Sequence, residues 1–214
     1  MSITGTTLPI TVLERKLTFF NQRCRDWTHP YAYQNDENLS SAGCGIFSLC
    51  HCAQWLTGNV QTPEKWADFS CANGGRGDDG TDRPALLHAL MAAGMNGLLG
   101  FRYEEDGLRN DRETLYQHLL HHEGVAMCNL RVGHIVALVA AREKDGRRQV
   151  LAIDSYSESA SEKVRDHVIE VIPGTEITYA VKNAQGLQVG ESTAYAAFWV
   201  DADLPRDFNL FYRI

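Results

Sequence analysis

The second half of this chain is a succession of short segments with the composition of β-strands. They are rich in Val, Ile, Tyr or Phe, and turn sequences such as Lys-Asp-Gly and Pro-Gly separate several of them. The predicted strands cover residues 125–130, 133–141, 148–154, 167–172, 175–182, 193–200 and 208–213. The first half shows helical spacing instead. Helices followed by antiparallel strands predict an α+β domain, with N-terminal helices packed on a C-terminal sheet.

Apolar residues at helical spacing mark the first half of the chain. The predicted helices span 11–20, 44–56, a segment that begins at Thr62-Pro63, a segment from 81 to 94, and 111–123. Ser40 or Ser41 is predicted to cap the helix that begins at residue 44, and Gly58 to end it. With 214 residues the chain is long enough for one well-buried core, so we expect a single domain over residues 1–214.

Charge and hydropathy restrict the partners and the compartment. The net charge of −7 would repel a polyphosphate backbone, so we expect no nucleic-acid partner. No stretch approaches the roughly 20 apolar residues of a membrane span, and Met1 to Ile10 lack the features of a signal peptide. We therefore expect a cytoplasmic protein, or a secreted one if a signal peptide has been removed. Cys44, Cys50 and Cys52 crowd one predicted helix, which favours reduced thiols over disulfides.

Cys44 lies at the start of a predicted helix, between Gly43 and Gly45. A thiol is a nucleophile only as the thiolate, and its pKa falls at a helix N-terminus or beside an imidazolium. The backbone N–H groups of a helix start can also hold an oxyanion. The alternative is a small buried cysteine, which would be favoured if Cys44 stood alone.

His134 and Asp154 lie on the two strands of one predicted hairpin. The strand from 133 to 141 is apolar on both faces, which is typical of a central strand, and His134 lies at its N-terminal end. If the loop is the three-residue segment 144–146, Val136 lies opposite Asp154 and His134 becomes its diagonal neighbour. A two-residue loop would place the two side chains on opposite faces. The hypothesis of a triad therefore predicts a three-residue turn.

Three residues together indicate covalent catalysis, although each has a structural alternative. Taken singly, each residue is better explained by a structural role, His134 as a satisfied core histidine and Asp154 as a carboxylate at a strand end that caps a turn. With Cys44 they form a set of nucleophile, base and orienting group. The set predicts a cysteine hydrolase that cleaves a peptide or related amide bond through a thioester. Two alternatives stay open: a cell-wall amidase or amide transferase with the same triad, and a catalytically inactive domain that binds peptides.

The same segments resemble those of a known family. Residues 43–49, Gly-Cys-Gly-Ile-Phe-Ser-Leu, resemble the Cys-Gly-x-x-Ser nucleophile helix of papain-like cysteine peptidases related to bacteriocin leader peptidases. Residues 133–138, Gly-His-Ile-Val-Ala-Leu, are similar to their Gly-His-x-Val-x-Leu strand, and residues 153–155, Ile-Asp-Ser, to their Asp-Pro strand end. The resemblance implies a papain-like fold and a bacterial thiol protease.

Two departures from the family pattern concern the site. Ser155 stands where the family has a proline, and no glutamine precedes Cys44 at the family's close spacing. Gln34 is our choice for the side chain that holds the oxyanion, with Asn38 as its rival. Both are chosen for their amide groups, since neither matches the family's spacing.

The walls of the substrate cleft are predicted from residues near the triad. The predicted cleft residues are Trp27, Tyr33, Gly43, Gly45 and Gly133. For the two aromatic residues, a place in the core or on the surface is an equal alternative. The glycine-rich, acidic loop from 73 to 82 lacks the ending of a phosphate loop or a calcium loop. We interpret it as a mobile loop that can form a wall of the cleft.

Two clusters of metal-binding residue types are interpreted as structural. Cys50-His51-Cys52 lacks the spacing of a zinc site, because neighbouring helix residues point about 100° apart. His118 and His122 are four residues apart but lack the glutamate of a His-Glu-x-x-His motif, so a solvated helix face is favoured. We therefore predict no metal and no cofactor, and a peptide or other amide-containing substrate as the partner.

Overall fold

The computed structural model describes residues 5–34, 36–131, 133–157, 164–182, 185 and 187–214, which form a mixed α+β protein, as predicted. Its strands are β1 (Thr7–Val12), β2 (Arg15–Phe20), β3 (Arg76–Gly77), β4 (Gly80–Thr81), β5 (Phe101–Arg102), β6 (Gly124–Arg131), β7 (His134–Lys144), β8 (Arg147–Ile153), β9 (Val168–Val171), β10 (Glu176–Lys182), β11 (Gln188–Tyr195), β12 (Ala197–Asp201) and β13 (Arg206–Arg213). Its helices are α1 (Leu39–Ala42), α2 (Cys44–Thr57), α3 (Pro63–Ala72), α4 (Arg83–Ala92), α5 (Asn96–Leu99) and α6 (Arg112–Leu120).

A seven-stranded antiparallel sheet organises the fold. Its strand order is β5-β13-β6-β7-β8-β12-β9, so β7 is the middle strand. The side chains of β7 are buried from His134 to Ala141, because apolar residues project from both of its faces. The prediction that this apolar strand is central is confirmed.

Helices cover both faces of the sheet. On one face the apolar side of α2 packs against Ile135 and Ala137 of β7. On the other face α6 packs against Val136 and Leu138. Burial of a large aliphatic side chain contributes about 1.5–3 kcal/mol. Packing on both faces therefore holds β7 firmly against the helix that begins at Cys44.

The segment from 11 to 20 is not a helix, and this prediction was wrong. It forms most of the β1–β2 hairpin, in which Val12 pairs with Arg15. Leu13 and Glu14 make the two-residue turn with left-handed φ values of 46° and 65°. Neither residue is a glycine or an asparagine, so the sequence carries no turn signal there. On either side of the turn, alternate residues face the core, as strands require.

The longer helices form close to their predicted positions. Pro63 stands in the first turn of α3, and Gly58 ends α2 in a left-handed conformation with a φ of 76°. The start of α2 differs from the prediction, because Gly43 is its N-cap and no side chain caps it. Ser41 belongs instead to the capping box of α1, a helix that was not predicted. Among the described residues, no helix has both the length and the apolar composition needed to cross a lipid bilayer.

The C-terminal strands depart from the prediction at one place. The predicted strand 193–200 is two strands, since β11 ends at Tyr195 and β12 begins at Ala197. Between them, Ala196 donates its N–H to the carbonyl oxygen of Thr175 at 2.8 Å. β10 and β11 form a separate two-stranded ribbon, whereas β12 joins the large sheet between β8 and β9.

Candidate active site

Cys44 is the first residue of α2, and close packing fixes its position. A Cβ atom on Gly43 would lie 2.4 Å from the carbonyl oxygen of Leu39, and one on Gly45 would lie 2.4 Å from Oγ1 of Thr81. The two glycines therefore let α1 and β4 approach the start of α2, where a larger residue would displace the thiol. Both glycines are buried, so they support Cys44 from behind and do not form a wall of the cleft, as was predicted.

His134 and Asp154 form a buried hydrogen-bonded pair. Nε2 of His134 lies 2.7 Å from Oδ1 of Asp154, and the two residues are 3% and 0% exposed. The same oxygen accepts the backbone N–H groups of Tyr156 at 2.9 Å and Ser157 at 3.1 Å. Because an ionised carboxylate only accepts hydrogen bonds, Nε2 donates and Nδ1 is left for Cys44. The thiol of Cys44 is hydrogen-bonded to this imidazole.

The turn between the two strands that carry this pair is shorter than predicted. Lys144 pairs directly with Arg147, so the loop contains only Asp145 and Gly146. Both loop residues are left-handed, with φ values of 53° and 71°, which is typical of the two-residue hairpin turn that an Asp-Gly sequence favours. The prediction of a three-residue turn was therefore wrong.

A β-bulge in β7 restores the register that was predicted for His134 and Asp154. The pairing of β7 with β8 shifts at Val139, which is an extra residue in β7. Beyond the bulge, Ala137 pairs with Ile153, so that Asp154 lies level with Val136. This is the alignment that the three-residue turn was predicted to produce. A short turn and a bulge together bring His134 and Asp154 into contact.

The charges of the site favour an ionised thiol. Burial opposes the ionisation of Cys44, but the hydrogen bond and charge of His134 outweigh it, with help from the backbone N–H groups of Ile135 and Gly45. The pKa of Cys44 therefore lies below its ordinary value. Burial also opposes a charged imidazole, but Asp154 and Cys44 raise the pKa of His134 to about 10. Both shifts favour a thiolate–imidazolium pair over a neutral thiol and a neutral imidazole.

An aromatic ring covers the imidazole. The ring of Tyr156 stands edge-on to His134, with centroids 5.9 Å apart. The guanidinium of Arg23 lies over the Tyr156 ring, 4.1 Å from its centroid, and its Nε donates to the carbonyl oxygen of Tyr156. Tyr179 of β10 contacts the same guanidinium at 4.0 Å. The cover limits the access of water to the hydrogen bond between the imidazole and the carboxylate.

Cys44 faces a cavity of about 820 Å³. Its lining residues are Cys44, Gly77, Asp78, Asp79, Gly80, Thr81, Asp82, Arg83, Pro84, Leu108, Asn129, Gly133 and Ile135. The predicted cleft residue Gly133 is among them. The acidic loop also contributes, since residues 77–82 border the cavity and its strands β3 and β4 form a small hairpin. A molecule of substrate size therefore has access to the thiol from the side of this loop.

Two predicted cleft residues lie elsewhere. Trp27 is buried among aromatic rings, with centroids 6.1 Å from Phe20 and 5.0 Å from Phe47. Its indole N–H donates to the carbonyl oxygen of Asn21 at 3.0 Å, so it is a satisfied core residue. Tyr33 is 39% exposed and does not line the cavity. The core and surface alternatives therefore describe these two residues, which corrects the prediction that they border the cleft.

The two predicted oxyanion residues are also poorly placed. Gln34 is exposed, with a φ of 58° in a surface bend. Asn38 is the N-cap of α1, and its Oδ1 accepts the backbone N–H of Ser41 at 3.2 Å. Neither residue lines the cavity that contains Cys44.

Gln22 is a buried polar residue beside the site that the sequence did not single out. It is 3% exposed and lies two residues beyond the end of β2. Its backbone N–H donates to the carbonyl oxygen of Ser155 at 2.9 Å, and Oε1 accepts the Ser155 hydroxyl at 3.0 Å. Nε2 lies 3.4 Å from the carbonyl oxygen of Ser40. Because Ser155 follows Asp154, these bonds fix Gln22 next to the imidazole–carboxylate pair.

The other histidine and cysteine clusters are structural in character. His51 stacks against Phe19 and Phe20, and its Nε2 accepts the backbone N–H of Phe20 at 3.1 Å. Burial lowers the pKa of His51 to about 3. His118 is buried rather than solvated, which corrects that interpretation, and its Nε2 contacts the carbonyl oxygen of Phe211 at 3.1 Å. Within the described part of the chain, no group of three potential ligands is arranged to hold a metal ion.

Comparisons of the chain with protein-family models, with curated proteins and with solved structures gave no match.

Proposed function

We propose that this protein is a cysteine hydrolase of papain-like type that cleaves a peptide or related amide bond. The observation that carries the proposal is the buried 2.7 Å contact between His134 and Asp154, with Cys44 hydrogen-bonded to the same imidazole. These three groups have the roles of nucleophile, base and orienting residue in a catalytic triad. The adjoining cavity of about 820 Å³ gives a substrate access to the thiol.

The reaction begins at the thiolate. Sγ of Cys44 attacks the amide carbonyl carbon and forms a tetrahedral intermediate. His134 then transfers the proton on Nδ1 to the leaving nitrogen, the C–N bond breaks, and a thioester remains. In the second half, Nδ1 removes a proton from water as the water oxygen attacks the thioester, and the sulfur leaves as thiolate. Asp154 holds Nε2 throughout and stabilises the imidazolium.

The oxyanion of the intermediate is held at the start of α2. No side chain caps this helix, so its first N–H groups and its dipole are available to a negative oxygen. We assign the side-chain donor to Gln22 in place of Gln34 and Asn38. None of the three lines the cavity of Cys44, but only Gln22 is buried, and its amide is anchored to the residue that follows Asp154. An amide NH2 group has two hydrogens, and the long contact with the Ser40 carbonyl uses only one of them.

Two features support the papain-like part of the proposal. The helix that carries the thiol packs on the strand that carries the imidazole, and the carboxylate follows the next strand. The segments that do this are those whose sequences resemble the family motifs, residues 43–49, 133–138 and 153–155. A fold alone does not fix an activity, so the proposal depends on the site and not on the outline of the chain.

The test is hydrolysis of a library of peptides and muropeptides by wild type, Cys44→Ala and Cys71→Ala. Cys71 is exposed on α3 and serves as the control thiol. We expect the control to match wild type and Cys44→Ala to lose about 10⁴-fold or more in rate. Absence of turnover by wild type across the library would reject the enzyme and favour a peptide-binding domain. Cleavage of muropeptides alone would indicate a cell-wall amidase, and acyl transfer to an added amine would indicate a transferase.

A further inference from the structure

Arg83 places a buried positive charge in the wall of the Cys44 cavity. It is the first residue of α4, where Asp82 caps the helix by accepting the N–H of Ala85 at 3.1 Å. Arg83 is only 4% exposed, although it lines the cavity beside the thiol. Its Nη1 donates to the carbonyl oxygen of Met127 in β6 at 3.1 Å, which directs the side chain inward from the helix start.

No carboxylate of the described residues forms a direct ion pair with this guanidinium. No carboxylate among the described residues lies within 4 Å of the Arg83 guanidinium. Most ion pairs of the described residues join side chains at the surface. A guanidinium has five N–H donors, and the Met127 carbonyl accepts from one of them. Burial lowers the pKa of Arg83, while Cys128, Asp207 and the Cys44 thiolate oppose that change. A buried cation without a close counter-ion is costly, and an anion that entered the cavity would relieve that cost.

We propose that Arg83 binds a carboxylate of the substrate, so that the enzyme prefers amide bonds that lie close to a free carboxylate. The inference rests on the proposed function, because it identifies the substrate class of the same site. The planar fork of a guanidinium matches the two oxygens of a carboxylate. Since Arg83 and Cys44 share one cavity, the bound carboxylate lies near the carbonyl carbon that the thiolate attacks.

The aspartates at the mouth of the cavity do not oppose this assignment. Asp78, Asp79 and Asp82 also line the cavity, but all three are exposed. Water and salt screen exposed charges strongly, whereas a buried charge acts at lower dielectric. The arrangement instead suits a substrate that carries both charges, with its carboxylate at Arg83 and an ammonium group toward the acidic rim.

The experiment compares two alkylating reagents of similar size, anionic iodoacetate and neutral iodoacetamide, at pH 7. The rate at Cys44 is followed by mass spectrometry, and N-acetylcysteine gives the intrinsic ratio of the two reagents. We expect the ratio of iodoacetate to iodoacetamide to be about tenfold higher at Cys44 than for the free thiol. Arg83→Met should return the ratio toward the free-thiol value, Arg83→Lys should retain part of it, and Arg147→Met, an exposed control, should leave it unchanged.

A second measurement on wild type guards against misfolding of the Arg83→Met variant. Propionate should protect Cys44 from iodoacetamide at lower concentration than propionamide does. Any one of three results would overturn the inference. They are a wild-type ratio equal to that of N-acetylcysteine, equal protection by propionate and propionamide, and an unchanged ratio in a folded Arg83→Met variant. These outcomes differ from failure of the proposed function, in which Cys44 reacts no faster than Cys71 with either reagent.

Discussion

Two buried histidines of this protein have opposite ionisation behaviour. His51 and His134 are 2% and 3% exposed, so burial disfavours the charged ring at both positions. Phenylalanine rings and a backbone N–H surround His51, and its pKa falls to about 3. His134 faces the carboxylate of Asp154 and the thiol of Cys44, and its pKa rises to about 10. The difference shows that the partners of a buried imidazole, and not its depth, decide its charge.

The same difference gives the two histidines opposite effects on stability. An unfolded histidine titrates near 6.5. For His134 the folded pKa is higher, so its contribution is fully present below about pH 6.5 and is lost as the pH rises through 10. For His51 the folded pKa is lower, so its contribution is present above pH 6.5 and is lost as the pH falls toward 3.

Asp154→Asn should have the largest effect on activity, because it removes the negative charge that makes the pKa of His134 so much higher than that of His51. The pKa of His134 should fall and the thiolate of Cys44 should lose its counter-ion. We expect hydrolysis to drop by about 10⁴-fold, the order found for the same change in serine triads. Steady-state rates at pH 7 measure this.

The matched control for that change is Asp145→Asn in the turn of the same hairpin. Asp145 has a φ of 53°, a conformation that asparagine also adopts readily, and it lies at the far end from the site. The Asp145→Asn variant should hydrolyse substrate at the same rate as wild type. If Asp154→Asn kept a comparable rate, the carboxylate would have no part in catalysis.

Thiol labelling extends the comparison to the cysteines. Burial raises the pKa values of Cys50, Cys52 and Cys71, whereas that of Cys44 is lowered. A thiol with the ordinary pKa of about 8.5 is only about 0.3% ionised at pH 6. Iodoacetamide at pH 6 should therefore modify Cys44 on the order of a hundredfold faster than the exposed Cys71. Similar rates for these two thiols would mean that His134 does not stabilise a thiolate.

His51→Gln should change stability and leave the site intact. The Gln carbonyl can accept the Phe20 N–H in place of Nε2, but it does not titrate. As the pH falls from 6.5 to 4, the free energy of unfolding of wild type should decrease by about 1.4 kcal/mol per pH unit more than that of the variant. Urea unfolding at several pH values measures the difference. Parallel stability curves for the two proteins would show that His51 does not stay neutral in the folded state.

Tyr156→Ala should have the smallest effect. It removes the ring that covers His134, so water would weaken the attraction between the imidazolium and its two partners. We expect labelling of Cys44 at pH 6 to slow about two- to fivefold. Tyr179→Ala is the control, since Tyr179 contacts the same Arg23 without touching His134. If both substitutions slowed labelling equally, the effect would come from the loss of a contact with Arg23 and not from the loss of the Tyr156 ring over His134.

The sequence predicted that Cys44, His134 and Asp154 come together, but not the way in which the chain aligns them. The register at Asp154 was predicted from a three-residue turn, whereas the structure has the Asp-Gly turn and a bulge at Val139. The Asp-Gly pair is itself a two-residue turn signal. The bulge has no such signal, because β7 is apolar on both faces and an extra residue does not disturb the pattern.

The N-terminal region was harder to predict for a related reason. The β1–β2 hairpin turns at Leu13 and Glu14, which carry no glycine or asparagine to mark a turn. Without that hairpin, nothing in the sequence brings Gln22 back to Ser155, so the amide was sought nearer to Cys44. The end of α2 at Gly58 was predicted correctly, because the left-handed backbone there is a local requirement that glycine meets. The helix predicted over 111–123 ends earlier, at Leu120, and Gly124 begins β6.

The protonation state of His134 is the most direct test of the proposed thiolate–imidazolium pair. Nitrogen NMR of protein labelled at the histidine rings, assigned with His51→Gln and His134→Gln, follows both rings from pH 3 to 10.5. We expect His134 to keep two ring protons until about pH 10 and His51 to stay neutral down to about pH 3. A His134 signal that titrates near 6.5, as an isolated imidazole does, would contradict this expectation.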